Sequence, residues 1–317
     1  MKVVIITQCI SPIIKTIINS SHKIVGITES SPREKPQNIE ILLREIVTFF
    51  SLIIKKEPIT LKSFSEERGI PYYYLEKGNN KQFENWIKNL DTDLIIINSM
   101  SHLLRENIFN IPKYGAINLH SSLLPKYRGP NPWFWIYYNF DSEAGVTVFY
   151  IDNGEDTGDI IFQKKYNVPF GAKLPDIQNL AINKIGAKLL LKAINHIEKG
   201  TAPRVPQPKE SPTQRARNIK LEEHKNIINW KNWTIERIWH ILRGTEDWLN
   251  ALEQPKGLYK GQRWKILNFK KCDIKNYITG KIYKENDKYF VICRDGKIYL
   301  DLRFSLKKFI FYLLYKR

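Results

Sequence analysis

Four short runs rich in branched aliphatic and aromatic residues punctuate the first hundred positions: Lys2–Ile6, Lys23–Ile27, Tyr72–Leu75 and Asp93–Asn98. Each is strand-length, and all but Tyr72–Leu75 are too uniformly apolar for a sheet with one wet face. Lys2–Ile6, Lys23–Ile27 and Asp93–Asn98 therefore suit strands buried on both faces, and Tyr72–Leu75 is a further strand. Helical stretches separate them. Ile10–Asn19 forms a helix if Pro12 lies in its first turn, a second helix ends at Arg68-Gly69, and Gln82–Asn89 reads as a third. Strands alternating with helices at this spacing predict an α/β unit, a mostly parallel sheet with helices on both faces.

The pattern changes in the second half. Leu174, Ile177, Ala181, Ile185, Leu189 and Ala193 recur every three or four residues, which predicts one long amphipathic helix to about Glu198, stopped at Gly200. Pro203, Pro206, Pro208 and Pro212 follow within ten residues and read as a linker. Beyond them Thr234–Leu242 predicts a short helix. Gln262–Phe269, Tyr277–Tyr283, Tyr289–Cys293 and Lys297–Leu302 predict strands, with Asn286-Asp287 and Asp295-Gly296 as turns. The expected organisation is a catalytic domain over 1–200, a linker over 201–218 and a small β-barrel-like domain over 219–317.

Length and composition allow this: 317 residues, 43 % hydrophobic, suffice for two cores. No apolar run reaches the ~18 residues of a membrane-spanning helix. Ile46–Ile54 and Phe309–Leu314 are the longest candidates. The stretch Asn38–Lys56 would be apolar over most of its surface as a helix, which suits packing on the sheet or on a second copy in a homo-oligomer, with a membrane contact as the alternative. Cys9, Cys272 and Cys293 form no CxxC pair, so reduced thiols in a cytoplasmic protein are expected. No metal is expected either: the six histidines show no HxH or HxxxH spacing. Charge is uneven. From Thr201 onward 26 Lys and Arg face 12 Asp and Glu, a net of +14, against +4 for the first 200 residues. A basic C-terminal region fits a polyanion, tRNA included, an anionic membrane surface or a phosphorylated substrate; the alternative is a set of solvated lysine-rich faces.

The chemistry lies between the strands and the linker. In Ala116-Ile117-Asn118-Leu119-His120 a strand would send Asn118 and His120 to the same face. An uncharged amide donor beside an imidazole can stabilise an oxyanion and handle a proton. Further on, Gly145-Val146-Thr147-Val148 precedes Asp152-Asn153-Gly154-Glu155-Asp156-Thr157-Gly158-Asp159-Ile160, an acidic, glycine-bearing loop placed to bring a carboxylate to the imidazole.

Asn118-Leu119-His120-Ser121-Ser122-Leu123-Leu124-Pro125-Lys126-Tyr127-Arg128-Gly129, followed by Gly145-Val146-Thr147 and Asp156-Thr157-Gly158-Asp159-Ile160, resembles the folate-dependent formyltransferases. The similarity extends upstream through Asp93–Ile97 and Pro112–Gly115. Downstream it continues through Gln207-Pro208, Thr213, Ile219, Glu222, Ile228, Trp230 and Arg243. The resemblance implies a Rossmann-like catalytic domain and an enzyme that takes a formyl group from 10-formyltetrahydrofolate, with no metal. It implies that Asn118 and His120 bind the formyl oxygen and that Asp156 holds His120 and carries the proton away. It places Ser122, Leu123, Leu124 and Pro125 against the folate, with Asn98, Ser99, Met100, Asp152, Gly154 and Glu155 around the pterin. Arg128 is a candidate for an acceptor phosphate.

Two features bear on the acceptor amine. Pro130–Asn139, with Trp133, Phe134, Trp135, Tyr137 and Tyr138, is similar to a segment of the sugar-modifying members, and Ser31–Pro36 lacks the glycine-rich basic loop of the tRNA enzymes. The expected acceptor is therefore a small phosphorylated or nucleotide-linked amine, an amino sugar first. The alternatives are methionyl-tRNA and, in a different class, an inactive RNA-binding homologue.

Overall fold

The computed structural model describes residues 1–32, 60–76, 80–306 and 309. The apolar stretch Asn38–Lys56 and most of Phe309–Leu314 lie outside them. The described chain forms two compact units. One comprises Met1–Pro132, Gly145–Tyr166 and Gln178–Ala216; the other comprises Trp133–Ala144, Asn167–Ile177 and Arg217–Arg317. In sequence the last division falls between Ala216 and Arg217, beside the expected linker end at 218. The segment 201–216 belongs to the first unit, and two internal stretches belong to the second.

The first unit is built on a seven-stranded sheet in the order β3-β2-β1-β4-β5-β6-β7. The strands are β1 Lys2–Thr7, β2 Lys23–Ser30, β3 Tyr72–Leu75, β4 Leu94–Ile97, β5 Ala116–His120, β6 Glu143–Tyr150 and β7 Ile160–Asn167. Pairing from β3 across to β5 is parallel, and β6 runs antiparallel to β5. The uniformly apolar strand sequences are explained by burial on both faces. Val3, Val4, Ile5 and Ile6 of β1 and Leu94, Ile95 and Ile96 of β4 are all solvent-free. One face packs on Phe83, Ile87, Ile108 and Phe109.

The single helix predicted from Leu174 to Glu198 is broken in kind. Leu174–Gln178 is α, Asn179–Gly186 is π-helical, and Ala187–Glu198 resumes as α. Apolar spacing alone does not distinguish a π-turn, because one inserted residue rotates the stripe without erasing it. Gly186 ends the π-segment, and a Cβ there would lie 2.8 Å from the Leu119 side chain and 2.9 Å from the Ala181 carbonyl. The glycine lets this helix approach β5 directly behind Asn118 and His120.

The second unit contains an antiparallel sheet in the order β8-β11-β10-β9, from β8 Arg263–Lys271, β9 Ile282–Glu285, β10 Lys288–Cys293 and β11 Gly296–Arg303. Asn286 and Asp287, both with positive φ, make the predicted β9–β10 turn. The helix Ile235–Gly244 packs on β8 and β11. Among the described residues this four-stranded antiparallel sheet is the small β-rich part expected toward the C-terminus. The expected strand from Tyr277 is confined to Ile282–Glu285, after a left-handed turn at Gly280.

His240 is enclosed in this unit at 1 % exposure, its ring stacked 4.7 Å from Tyr137. Its Nδ1 accepts the Gly171 N–H at 3.0 Å, so the proton of the neutral ring sits on Nε2, which has no partner among the described residues. Burial pushes its pKa from 6.5 down to about 4. The unfolded chain therefore binds this proton first as pH falls. Stability should be full above pH 6.5 and decline by up to about 3 kcal/mol toward pH 4. Denaturant midpoints of the wild type and of His240→Phe across this window check it: the variant's profile should be flatter.

Candidate active site

Parallel pairing of Ile97 with Asn118 brings the carboxyl ends of β4 and β5 to one edge of the sheet, where α/β folds commonly bind ligands. Beyond β4 the chain turns at Ser99, with φ +68°, leaving Asn98 buried, Ser99 exposed and Met100 half-buried. At the end of β5, His120 is 7 % exposed. Asn118 is half-buried, and its amide makes no hydrogen bond among the described residues. Strand alternation directs both side chains to one face.

Antiparallel β6 runs back beside β5, with Asn118 opposite Phe149 and His120 opposite Thr147, and then delivers the acidic loop. Asp156 adopts a left-handed backbone, φ +56°. Its Oδ2 accepts the Gly129 N–H at 2.8 Å and lies 3.6 Å from His120 Nδ1. That separation permits charge attraction but is too long for a hydrogen bond. The other ring nitrogen, Nε2, lies 3.0 Å from the Tyr127 carbonyl. A carbonyl can only accept, which assigns a proton to Nε2 and leaves Nδ1 facing the carboxylate.

The loop 121–129 is held from below by the strand bearing Gly145-Val146-Thr147. Thr147 Oγ1 donates to the Ser122 carbonyl at 2.6 Å and accepts the Leu124 N–H at 3.1 Å. Gln163 donates to the Leu124 carbonyl at 2.7 Å. A Cβ at Gly145 would collide with the Leu123 side chain and lie 2.8 Å from the Lys164 carbonyl. Of the four residues expected against folate, Leu123 and Pro125 are half-buried, while Ser122 and Leu124 are enclosed in the protein at 1 % and 3 % exposure. In the acidic loop Asp152 Oδ1 accepts the Gly154 N–H and the Thr157 hydroxyl at 3.0 and 2.7 Å, closing its own turn. Glu155 is paired to Arg215, whose guanidinium pKa this hydrogen bond raises.

Arg128 departs from expectation. It is 8 % exposed, and its guanidinium donates to Gln207 Oε1 at 2.9 Å and to the carbonyls of Pro208 and Lys209 at 2.8 and 3.0 Å. These bonds commit the guanidinium within the protein, in place of the expected acceptor phosphate. The same Gln207 amide donates to the carbonyls of Asp156 and Gly158 at 3.1 and 2.7 Å. Residues 201–216, expected as a linker, therefore lie along both loops of the site. Gln207, Arg215 and their neighbours were absent from the sequence-derived site because a proline-rich segment gives no periodicity to read. The pairing of Gln207-Pro208 with the family motif was the one available sign.

A family model described as Formyl transferase matches residues 1–194. The chain is 32 % identical over 203 residues to the methionyl-tRNA formyltransferase of Halothermothrix orenii, covering 64 % of this chain and 63 % of that one. It is 33 % identical over 239 residues to the corresponding enzyme of Dictyoglomus turgidum, covering 72 % and 71 %. Among solved structures, WlaRD, a sugar 3N-formyl transferase crystallised in the presence of dTDP and 5-N-formyl-THF, superposes with a TM-score of 0.64 at 18 % identity. It covers 96 % of this chain and 99 % of its own, a likeness of fold. An amide, an imidazole and a carboxylate gathered at the carboxyl edge of a parallel sheet, on a chain matched over residues 1–194, define the class. The chain belongs to the folate-dependent formyltransferase family.

Arg128→Met should lower stability by about 2–3 kcal/mol through the loss of charge-assisted hydrogen bonds, with little change in acceptor KM. Urea unfolding alongside steady-state kinetics separates the roles. A large rise in acceptor KM at unchanged stability would return Arg128 to the substrate.

Proposed function

We propose that this chain transfers the formyl group of 10-formyltetrahydrofolate to a primary amine, and that the amine is the amino group of methionyl-tRNA. The approach of the Asp156 carboxylate to His120 Nδ1, beside the unpartnered amide of Asn118, is the observation that carries the first part. The amide suits the donor: its hydrogens are unspent at the sheet edge, where a formyl oxygen needs them. Half-buried Leu123 and Pro125 offer apolar surface to the folate, and Asn98, Ser99 and Met100 flank it at the end of β4.

The attacking amine is its own nucleophile, so the protein needs no activated Ser or Cys. Its tasks are alignment, oxyanion stabilisation and proton relay. Asn118 donates to the oxygen as negative charge gathers there. His120 receives the proton released by the amine at Nδ1, since Nε2 is occupied by Tyr127. Asp156 stabilises the resulting imidazolium, its position fixed by the Gly129 N–H. Removing one oxyanion donor typically costs ~10²–10³ in turnover. Asn118→Ala should lose at least that with an unchanged unfolding midpoint, and Asp156→Asn should be comparably severe. Near-normal turnover in either purified variant removes that residue from the reaction.

Packing bears on the acceptor. The aromatic segment that pointed to a sugar forms the helix Pro132–Asn139, and Phe134, Trp135 and Tyr137 are buried at 0, 5 and 0 % exposure. Tyr137 stacks on His240, Phe134 meets Trp248 edge-on at 5.6 Å, and the Trp135 indole donates to the Arg217 carbonyl at 2.9 Å. These rings form a core, and their resemblance to a sugar-enzyme segment needs no bound sugar. The second sequence argument rests on Ser31–Pro36, which lies mostly outside the described residues. The sequence relatives cited above are methionyl-tRNA enzymes, and the net charge of +14 from Thr201 onward suits phosphate contacts. Assays with methionyl-tRNA and nucleotide-linked amino sugars side by side test the assignment. Turnover should favour the tRNA, with a KM that rises steeply with salt. Preference for a sugar overturns the acceptor, and tRNA binding without formylated product from either supports the inactive homologue.

A further inference from the structure

We infer that Thr213 is a positioning residue whose hydroxyl sets the tautomer of the His120 ring, acting through the backbone of Tyr127. Tyr127 has φ +58°, a left-handed conformation that a bulky L-residue adopts only when its surroundings hold it there. Hydrogen bonds on both sides of its backbone help to hold it there. Its N–H donates to Thr213 Oγ1 at 2.7 Å, and its carbonyl accepts from His120 Nε2 at 3.0 Å. The residue is 5 % exposed, so water does not readily replace either partner. Thr213 is itself fixed. Its N–H donates to Ser211 Oγ at 3.3 Å, and that hydroxyl donates to the Pro125 carbonyl at 2.8 Å. Ala216, three residues on, donates its N–H to the Arg128 carbonyl at 2.8 Å.

Without the Thr213 hydroxyl, the Tyr127 N–H becomes a buried donor lacking an acceptor, and the left-handed turn relaxes. The carbonyl then leaves Nε2. A neutral imidazole beside Asp156 puts its proton on Nδ1, toward the carboxylate. That tautomer presents no lone pair on the side facing Asp156, and Nδ1 can no longer take up a proton there. The threonine thus keeps the ring in its Nε2–H form, with Nδ1 free to act as base.

The kinetic arm rests on the proposed function; the spectroscopic arm does not. Nitrogen-15 NMR of histidine-labelled protein reads the tautomer directly. The wild type and Thr213→Ser should show His120 as Nε2–H, and Thr213→Val should move it to Nδ1–H. Where formyl transfer is assayed, Thr213→Val should lower kcat about tenfold or more, with KM for both substrates nearly unchanged and Thr213→Ser close to wild type. An unchanged tautomer in Thr213→Val overturns the inference, as does an equal loss in Thr213→Ser. Should the valine substitution prevent folding, Thr213→Ala replaces it with the same opposing outcomes. A wild type that shows the Nε2–H tautomer but forms no product defeats the functional reading and leaves this one standing.

Discussion

One carboxylate oxygen, Oδ2 of Asp156, ties together segments far apart in sequence. It accepts the Gly129 N–H and faces the His120 ring. The oxygen reaches that point because Asp156 sits in a left-handed conformation, reversing the chain at the tip of the loop between β6 and β7. Asp tolerates this region better than most residues, since its short polar side chain hydrogen-bonds locally. Two residues later, Gly158 has no room for a side chain, because a Cβ would run into the Tyr150 carbonyl. The loop is therefore closed at its base by a glycine and aimed at its tip by an aspartate.

The antiparallel turn of the sheet at β6 makes this possible. A further parallel strand would have needed a crossover of a dozen or so residues before it could lie beside β5. Running back from β5, β6 places its own carboxyl end away from His120 but lays Thr147 directly beside it in register. That threonine does backbone work, holding Ser122 and Leu124 and so the loop that carries Tyr127 and Gly129 to the histidine. Behind β5 the π-turn and Gly186 supply the opposite wall. The strand bearing Asn118 and His120 is clamped on one side by a helix with a missing side chain and on the other by a hydrogen-bonded loop. Such two-sided restraint is what a site needs to hold catalytic groups without reorganisation.

Much of this was legible in sequence, for identifiable reasons. Strands buried on both faces are continuous apolar runs, so β1, β2 and β4 announce themselves. Asn118 and His120 could be paired from the period of a strand alone. The approach of Asp156 was an expectation drawn from loop position, and its left-handed backbone had no sequence mark. Three features were hidden. A π-helix keeps an amphipathic stripe, so Asn179–Gly186 reads as ordinary helix. A buried arginine looks like a surface one until its acceptors are known, and those of Arg128 are two backbone carbonyls and a glutamine about eighty residues away. The proline-rich stretch reads as a linker by composition, although its residues satisfy polar groups of the site loops.

That last point changes what the segment means for function. Prolines at 203, 206, 208 and 212 cannot donate backbone hydrogen bonds, and they keep the chain extended. An extended chain exposes every remaining carbonyl and hydroxyl for use by its neighbours. Gln207 spends its amide on the acidic loop and its oxygen on Arg128. Ser211 reaches the Pro125 carbonyl, and Arg215 pairs with Glu155. Each bond crosses to a loop that carries a proposed catalytic or folate-facing residue. A helix in the same place would have consumed internally the Pro208 and Lys209 carbonyls that Arg128 uses. The proline content that marks the segment as structureless is what frees it to organise the site.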